Sequence, residues 1–218
     1  VTSIEYAFNG ATNFNNGASS GVSTTLSWDV GNVTEMQHTF QNADAFNANL
    51  SGWNTGKVTR MENMFNEADV FNNGASSGVS TTLNWGTSSV TTMANMFNNA
   101  DDFNANLSGW DTGKVTNMKS MFRDTDAFNN GATGSTTTTL NWDTSSVTEM
   151  NYMFSGAAVF NASISSWDTG NVTDIRNMFW KAFVFNNGAS SGVSTTLSWG
   201  TSSVTTMEST FNRATAFN

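Results

Sequence analysis

The sequence predicts an α/β repeat solenoid of eight stacked coils, each a short strand plus a short helix. Three observations carry that prediction. The register V-T-x-M/I recurs eight times, starting coils one to eight at Val1, Val33, Val58, Val90, Val115, Val147, Val172 and Val204. The steps alternate between 32 and 25 residues, so a 57-residue unit repeats, and a strict period of this size marks stacked repeats. Within each coil an apolar face at helical spacing is followed by a short Thr-, Leu- and Trp-rich run.

The helix is read from Met61, Met64, Phe65, Ala68 and Phe71, whose offsets of 3, 4, 7 and 10 lie on one helical face. Thr59 stands where an N-cap belongs, and Glu62 three residues on completes a capping box. The same pairing occurs at Thr2/Glu5, Thr34/Gln37 and Thr205/Glu208. The strand is Leu50-Ser51-Gly52-Trp53 in short coils and Ser80 to Trp85 in long ones. The D-T-G and G-T-S segments that follow are turn chemistry. Stacked at 4.7–4.9 Å per coil, eight coils make a rod about 40 Å long. Long coils carry seven extra residues between Phe and Trp, a polar, glycine-rich insert on every second coil. The inserts should form a row of surface loops along one side. Residues 1–218 read as one array. The chain starts and stops inside a repeat, which points to a segment of a longer repeat region.

Composition narrows function by exclusion. A net charge of -9 with only 8 Lys and Arg argues against nucleic acid and against anionic membrane surfaces. No apolar run approaches a membrane span and no signal peptide is visible. Cysteine and proline are both absent, so no disulfide staples the fold. Low charge with abundant Ser, Thr, Asn and Gly fits an extracellular surface protein better than a cytosolic one.

Two stretches resemble a known family. Val1-Thr-Ser-Ile-Glu-Tyr-Ala-Phe8 is similar to the helix motif of BspA-like leucine-rich-repeat surface proteins. The unit from Phe103 to Phe122, with Asn104, Leu107, Ser108, Trp110, Thr112, Val115, Thr116, Met118 and Met121, resembles the related bacterial surface-protein and lipoprotein repeat. The resemblance implies a leucine-rich-repeat-like solenoid on an exported surface protein, often in adhesion. It brings no catalytic residues, because its motif is structural. The regular 32/25 alternation departs from it.

Catalytic lookalikes do not survive inspection. Asp111-Thr-Gly and Asp168-Thr-Gly occupy a turn column held elsewhere by Asn54-Thr-Gly and Gly86-Thr-Ser. Gly109 to Lys114 is one residue short of a P-loop and is followed by Val115. His38, the one histidine, sits in a column shared with Tyr6, Asn63 and Ser120, which reads as a variable surface position. No metal site, cofactor or enzyme is expected. Five N-x-S/T sequons, at Asn32, Asn49, Asn106, Asn161 and Asn171, are explained by an Asn/Ser/Thr-rich composition.

Three constellations remain as candidates. An asparagine follows the second Phe of every coil, and Asn47, Asn72, Asn104, Asn129, Asn161 and Asn186 should form a structural ladder. Asp44, Asp69, Asp101 and Asp126 recur at one position in four successive coils; they form a solvated face or, alternatively, a weak divalent-cation ladder. Trp180 and Phe183 replace small or polar residues of their columns and lie three apart, so a helix would put both on one face as a partner contact. The expected function is a non-enzymatic extracellular structural protein, a rod, stalk or self-assembling filament whose partner is itself. The alternative is an adhesin module binding a host protein or glycan through the loop row or the aromatic pair.

Overall fold

Alternate backbone N–H groups of every coil point along the stack, and this single fact decides the architecture. The computed structural model describes residues 1–18, 23–77, 79–134 and 137–218. In Met61–Ala68, the N–H groups of Met64, Asn66 and Ala68 donate to the carbonyls three residues back, at 3.2–3.3 Å. Those of Met61, Asn63, Phe65 and Glu67 instead donate to Thr92, Ala94, Met96 and Asn98 of the next coil, at 2.8–3.3 Å. The same division recurs from coil to coil.

The expected α/β solenoid, with a helix in every coil, is therefore wrong. Among the described residues there is no helix, and the regular strands are only β1 (Thr81–Thr82) and β2 (Ala105–Asn106). The cause is a left-handed residue every fourth position. Asn63 and Glu67 have φ of 56° and 59°, and their equivalents Asn95 and Asn99, Ser120 and Asp124, and Asn177 and Lys181 do the same. An α-helix admits no such residue. Positive φ at the third position of a four-residue turn closed from its first carbonyl to its fourth N–H is the type II signature. Turns 61–64 and 65–68 thus follow one another, with apolar residues at their corners. Corners four apart fall at i, i+3, i+4 and i+7, the spacing that a helix also gives. An isolated helix of two turns would be marginal, whereas tandem turns leave half the N–H groups free to bind the neighbouring coil.

The Thr expected to cap a helix is used differently. Thr59 donates both its N–H (2.8 Å) and its Oγ1 (3.1 Å) to Thr34 O of the preceding coil. Thr91, Thr116, Thr148, Thr173 and Thr205 repeat that double bond down the stack. Glu62, expected to complete the box, pairs with Arg60 instead. Isolated parallel bridges link Ser3, Glu35, Arg60, Thr92, Asn117, Glu149, Asp174 and Thr206 in series, one per coil. Among the described residues a second parallel ladder pairs coils one, three and five each with the short coil after it: Thr25 with Asn49, β1 with β2 in the register Thr81↔Ala105, and Thr139 with Ser163.

The core is a set of aromatic columns. Phe40, Phe65, Phe97, Phe122, Phe154 and Phe179 stack at 5.5–5.6 Å between ring centroids and are fully buried. Each also stacks on the second Phe of its coil, as Phe97 does on Phe103 at 3.9 Å. Trp53, Trp85, Trp110, Trp142 and Trp167 form a third column, spaced 6.0–6.3 Å. A buried indole N–H needs an acceptor, and each donates to the Leu carbonyl of the coil before it, Trp110 to Leu83 O at 2.7 Å. One hydrophobic cluster contains all three columns.

His38 is not the free surface position that its column suggested. It is half-buried, has φ of 58°, and stacks on Tyr6 with centroids 4.5 Å apart. The column tolerates Asn, Ser, Tyr and His but demands the left-handed region. Asn95→Val is therefore expected to destabilise the fold by about 1–2 kcal/mol, because a β-branched side chain resists positive φ. Asn95→Gly should be near neutral. Paired urea melts of the two variants check this.

Candidate functional site

The chemistry-bearing residues sort into one interior ladder and one surface face. In the ladder, each Asn after the second Phe accepts, through Oδ1, the N–H of the equivalent Asn one coil on. The series runs Asn15, Asn47, Asn72, Asn104, Asn129, Asn161, Asn186, Asn218, at 2.6–3.2 Å. The amide nitrogens hold the inserts. Asn47, Asn104 and Asn161 donate Nδ2 to Ala75, Ala132 and Ala189 O of the following insert, at 2.8–2.9 Å. Asn72 and Asn186 hold their own inserts through Ser76 and Val79 O, and Ser190 and Val193 O. The ladder is largely consumed by the fold, although Asn15, Asn47, Asn129 and Asn161 also line surface grooves.

A second asparagine escaped the sequence reading. Asn73, Asn130 and Asn187, the second Asn of N-N-G, adopt φ near 50° and accept the N–H of Leu50, Leu107 and Ile164 at 2.8–2.9 Å. They substitute a side chain for the strand pairing that is missing between a short coil and the next long coil. The signal in the sequence was the recurrence of N-N-G in long coils only.

The D-T-G turns are equally structural. Asp111 Oδ1 accepts the Gly113 N–H at 3.1 Å, and Thr112 Oγ1 donates to Asp143 O of the next coil at 2.8 Å. Asp168, Thr169 and Gly170 repeat the arrangement.

The surface face carries the aspartates. Asp44, Asp69, Asp101 and Asp126 lie together in a shallow cleft with Glu67, Asn99 and Asp124. Among the described residues, no three acidic or imidazole groups are arranged to hold a metal ion. The carboxylates act on one another. Partial burial, then the charges of Asp126, Asp69, Asp102 and Asp124, push Asp101 up to about 6. Burial, followed by Asp44, Glu67 and Asp102, also raises Asp69. A carboxyl whose folded pKa exceeds its unfolded value binds more protons when folded, so stability falls as pH rises through that interval. The protein should therefore melt higher at pH 5 than at pH 7. Asp101→Asn should raise the pH 7 melting temperature and shrink the difference between the two pH values. Thermal melts of both proteins at the two pH values check this.

Grooves lie between successive inserts, over the short coils. One of about 550 Å³ is bounded by Asn13, Ala45, Val70, Gly74, Ser76 and Asp102. Its equivalent two 57-residue units on, about 530 Å³, has Val159, Val184 and Ala216 where the first has Ala45, Val70 and Asp102, and is also lined by Phe183 and Thr215. The second groove thus gains apolar side chains while Asn129, Thr137, Asn161 and Ser190 keep part of its lining polar. Phe183 and Val184 are 46% and 43% exposed. Trp180 does not line this groove; it is half-buried, with Lys181 Nζ over its ring at 4.0 Å. With no helix present, the one-face argument for joining Trp180 to Phe183 is lost, and Val159 and Val184 take Trp180's place as neighbours of Phe183.

Among the described residues no helix is long and apolar enough to cross a membrane. A family model described as "Mycoplasma protein of unknown function, DUF285" matches residues 1–82, 75–141 and 131–218. No curated protein and no solved structure matches.

Proposed function

We propose that this chain, which belongs to the DUF285 family of Mycoplasma proteins of unknown function, is a non-enzymatic structural protein that serves outside the cell as a rod, stalk or self-assembling filament on a cell surface. One observation supports the reading above others. The Phe, Trp, Thr and Asn columns run through coil after coil with the same partners, so nearly every bulky or hydrogen-bonding residue is committed to extending the stack. Such an array adds length without changing its cross-section. The surface location rests on the low-charge composition and on the resemblance to bacterial surface-protein repeats.

Small-angle scattering of the dilute protein tests the reading. An elongated particle of constant cross-section is expected, and a sphere of the same mass would contradict it. A second reading, an adhesin module, is favoured by the exposed Phe183 and Val184 over their groove. It requires that binding to host glycans or matrix proteins be lost in Phe183→Thr, a substitution to the residue found in coils one and eight of the same column.

A further inference from the structure

One face of the stack changes character along its length. Over coils two to five its two columns hold Asp44, Glu67, Asp69, Asp101, Asp124 and Asp126. At coil six they shrink to Gly156 and Ala158, and over coils seven and eight they become Lys181, Phe183 and Arg213. Gly156 has φ of 74°, and a Cβ there would meet the Asp124 carboxylate, which would have to move aside. An acidic band, a bare step and a cationic, aromatic band therefore follow one another on one surface.

We propose that this face is an interface between two copies of the chain, laid antiparallel about a two-fold axis between coils five and six, so that Lys181 and Arg213 of each copy meet Glu67, Asp69 and Asp101 of the other. In an isologous interface of this kind each contact occurs twice. The axis pairs coil seven with coil four and coil eight with coil three, and it keeps each column opposite itself. Arg213 then faces Glu67, its own column's residue in coil three. Lys181 faces Asn99, with Asp101 beside it.

Insert parity fixes the position of the axis. Inserts lie on odd coils and grooves over even ones. An axis between two coils always sets an odd coil against an even one, so within the overlap of coils three to eight no insert meets an insert. An axis through a coil would set insert on insert. At the centre, coil five of each copy lies against the coil-six groove of the other, where Val159 is exposed in a single copy, while Phe183 of coil seven comes opposite Asp101 of coil four. Within one chain Arg123 pairs with Asp124 of the acidic band at 3.1 Å, and the partner's Lys181 and Arg213 add cations beside Glu67, Asp69 and Asp101. The band's own crowding shows in the upward displacement of Asp101 and Asp69. Complementary charge of this kind fixes register and partner.

The pair presupposes the rod of the proposed function, yet the two fail separately. Scattering reports the cross-section of one rod, whereas sedimentation reports mass. Sedimentation equilibrium should give twice the chain mass at high concentration. Lys181→Glu/Arg213→Glu makes both sides of each contact acidic, and Glu67→Lys/Asp101→Lys places cations opposite Lys181 and Arg213. Each variant alone should sediment as a monomer while melting as a folded protein. Mixed in equal amounts they should recover the pair, because both contacts are then complementary. A monomeric wild type overturns the proposal, including one that binds a glycan or another protein through Phe183. So does either charge variant that pairs as well as the wild type, or a mixture that stays monomeric.

Discussion

Phe97→Ala is expected to destabilise the protein by about 3–5 kcal/mol, the range for removing a buried aromatic ring and leaving its cavity. Phe97 has no solvent exposure. Its ring stacks on Phe103 within the coil, on Phe65 at 5.5 Å and Phe122 at 5.6 Å in the coils on either side, and tilts against Trp110. Phe65 and Phe122 are held by backbone bonds to the next coil and the Trp110 indole by its bond to Leu83 O, so they cannot close the gap without breaking those bonds. The loss should appear as a lower urea midpoint with an unchanged slope. A partial transition, with one half of the array melting first, is the other admissible form, since repeat arrays lose cooperativity at a weakened junction.

Asn104→Ala is expected to cost a comparable amount, about 3–5 kcal/mol, although it removes far less volume. Asn104 is 2% exposed. Its Oδ1 accepts from Asn129 N at 2.9 Å and Gly131 N at 3.0 Å, and its Nδ2 donates to Ala132 O at 2.9 Å. Truncation strands three backbone groups at or near the core, each worth about 1–3 kcal/mol when left unpaired. Asn104→Asp keeps the acceptor, loses the donor to Ala132 and buries a charge, so it should also destabilise, and less at low pH where the carboxyl is neutral. Denaturant melts of the two variants at pH 7 and pH 4 separate these effects. If Asn104→Ala melts like the wild type, the ladder is not a structural element.

The repeat, its alternation and its columns were legible in the sequence because they are strict identities at fixed spacing. The asparagine positions were legible for the same reason, and the geometry gives each of them defined partners. The local conformation was misread at one point. Met61, Met64, Phe65 and Ala68 fit a helix and a pair of tandem turns equally well, since corners four apart and helical faces share their first offsets. The information that separates them sits in the polar columns. Asn42, Asn63, Asn95, Asn99 and Asn177, with Gly10 and Gly156, mark the left-handed positions. Asn and Gly at every fourth place are poor in a helix interior and well suited to positive φ.

The same misreading displaced the candidate contact. Treating 180 and 183 as helical neighbours joined Trp180 to Phe183, whereas Val159 and Val184 are the groove neighbours, and Val159 comes from another coil. Contacts across coils depend on the turn geometry, which composition does not report. Lys181 and Arg213 were passed over because each looks like an isolated charge until the coils are aligned in space.

The central claim is that coils built from type II turns, and not from helices, bond directly to their neighbours. Backbone chemical shifts and three-bond HN–Hα couplings across Met61–Ala68 and Met93–Ala100 test it most directly. Positive φ at Asn63, Glu67, Asn95 and Asn99, with close amide contacts between Phe65 and Met96–Phe97 of the next coil, is the result expected. Uninterrupted negative φ through both segments, with contacts four residues apart along the chain, would contradict it.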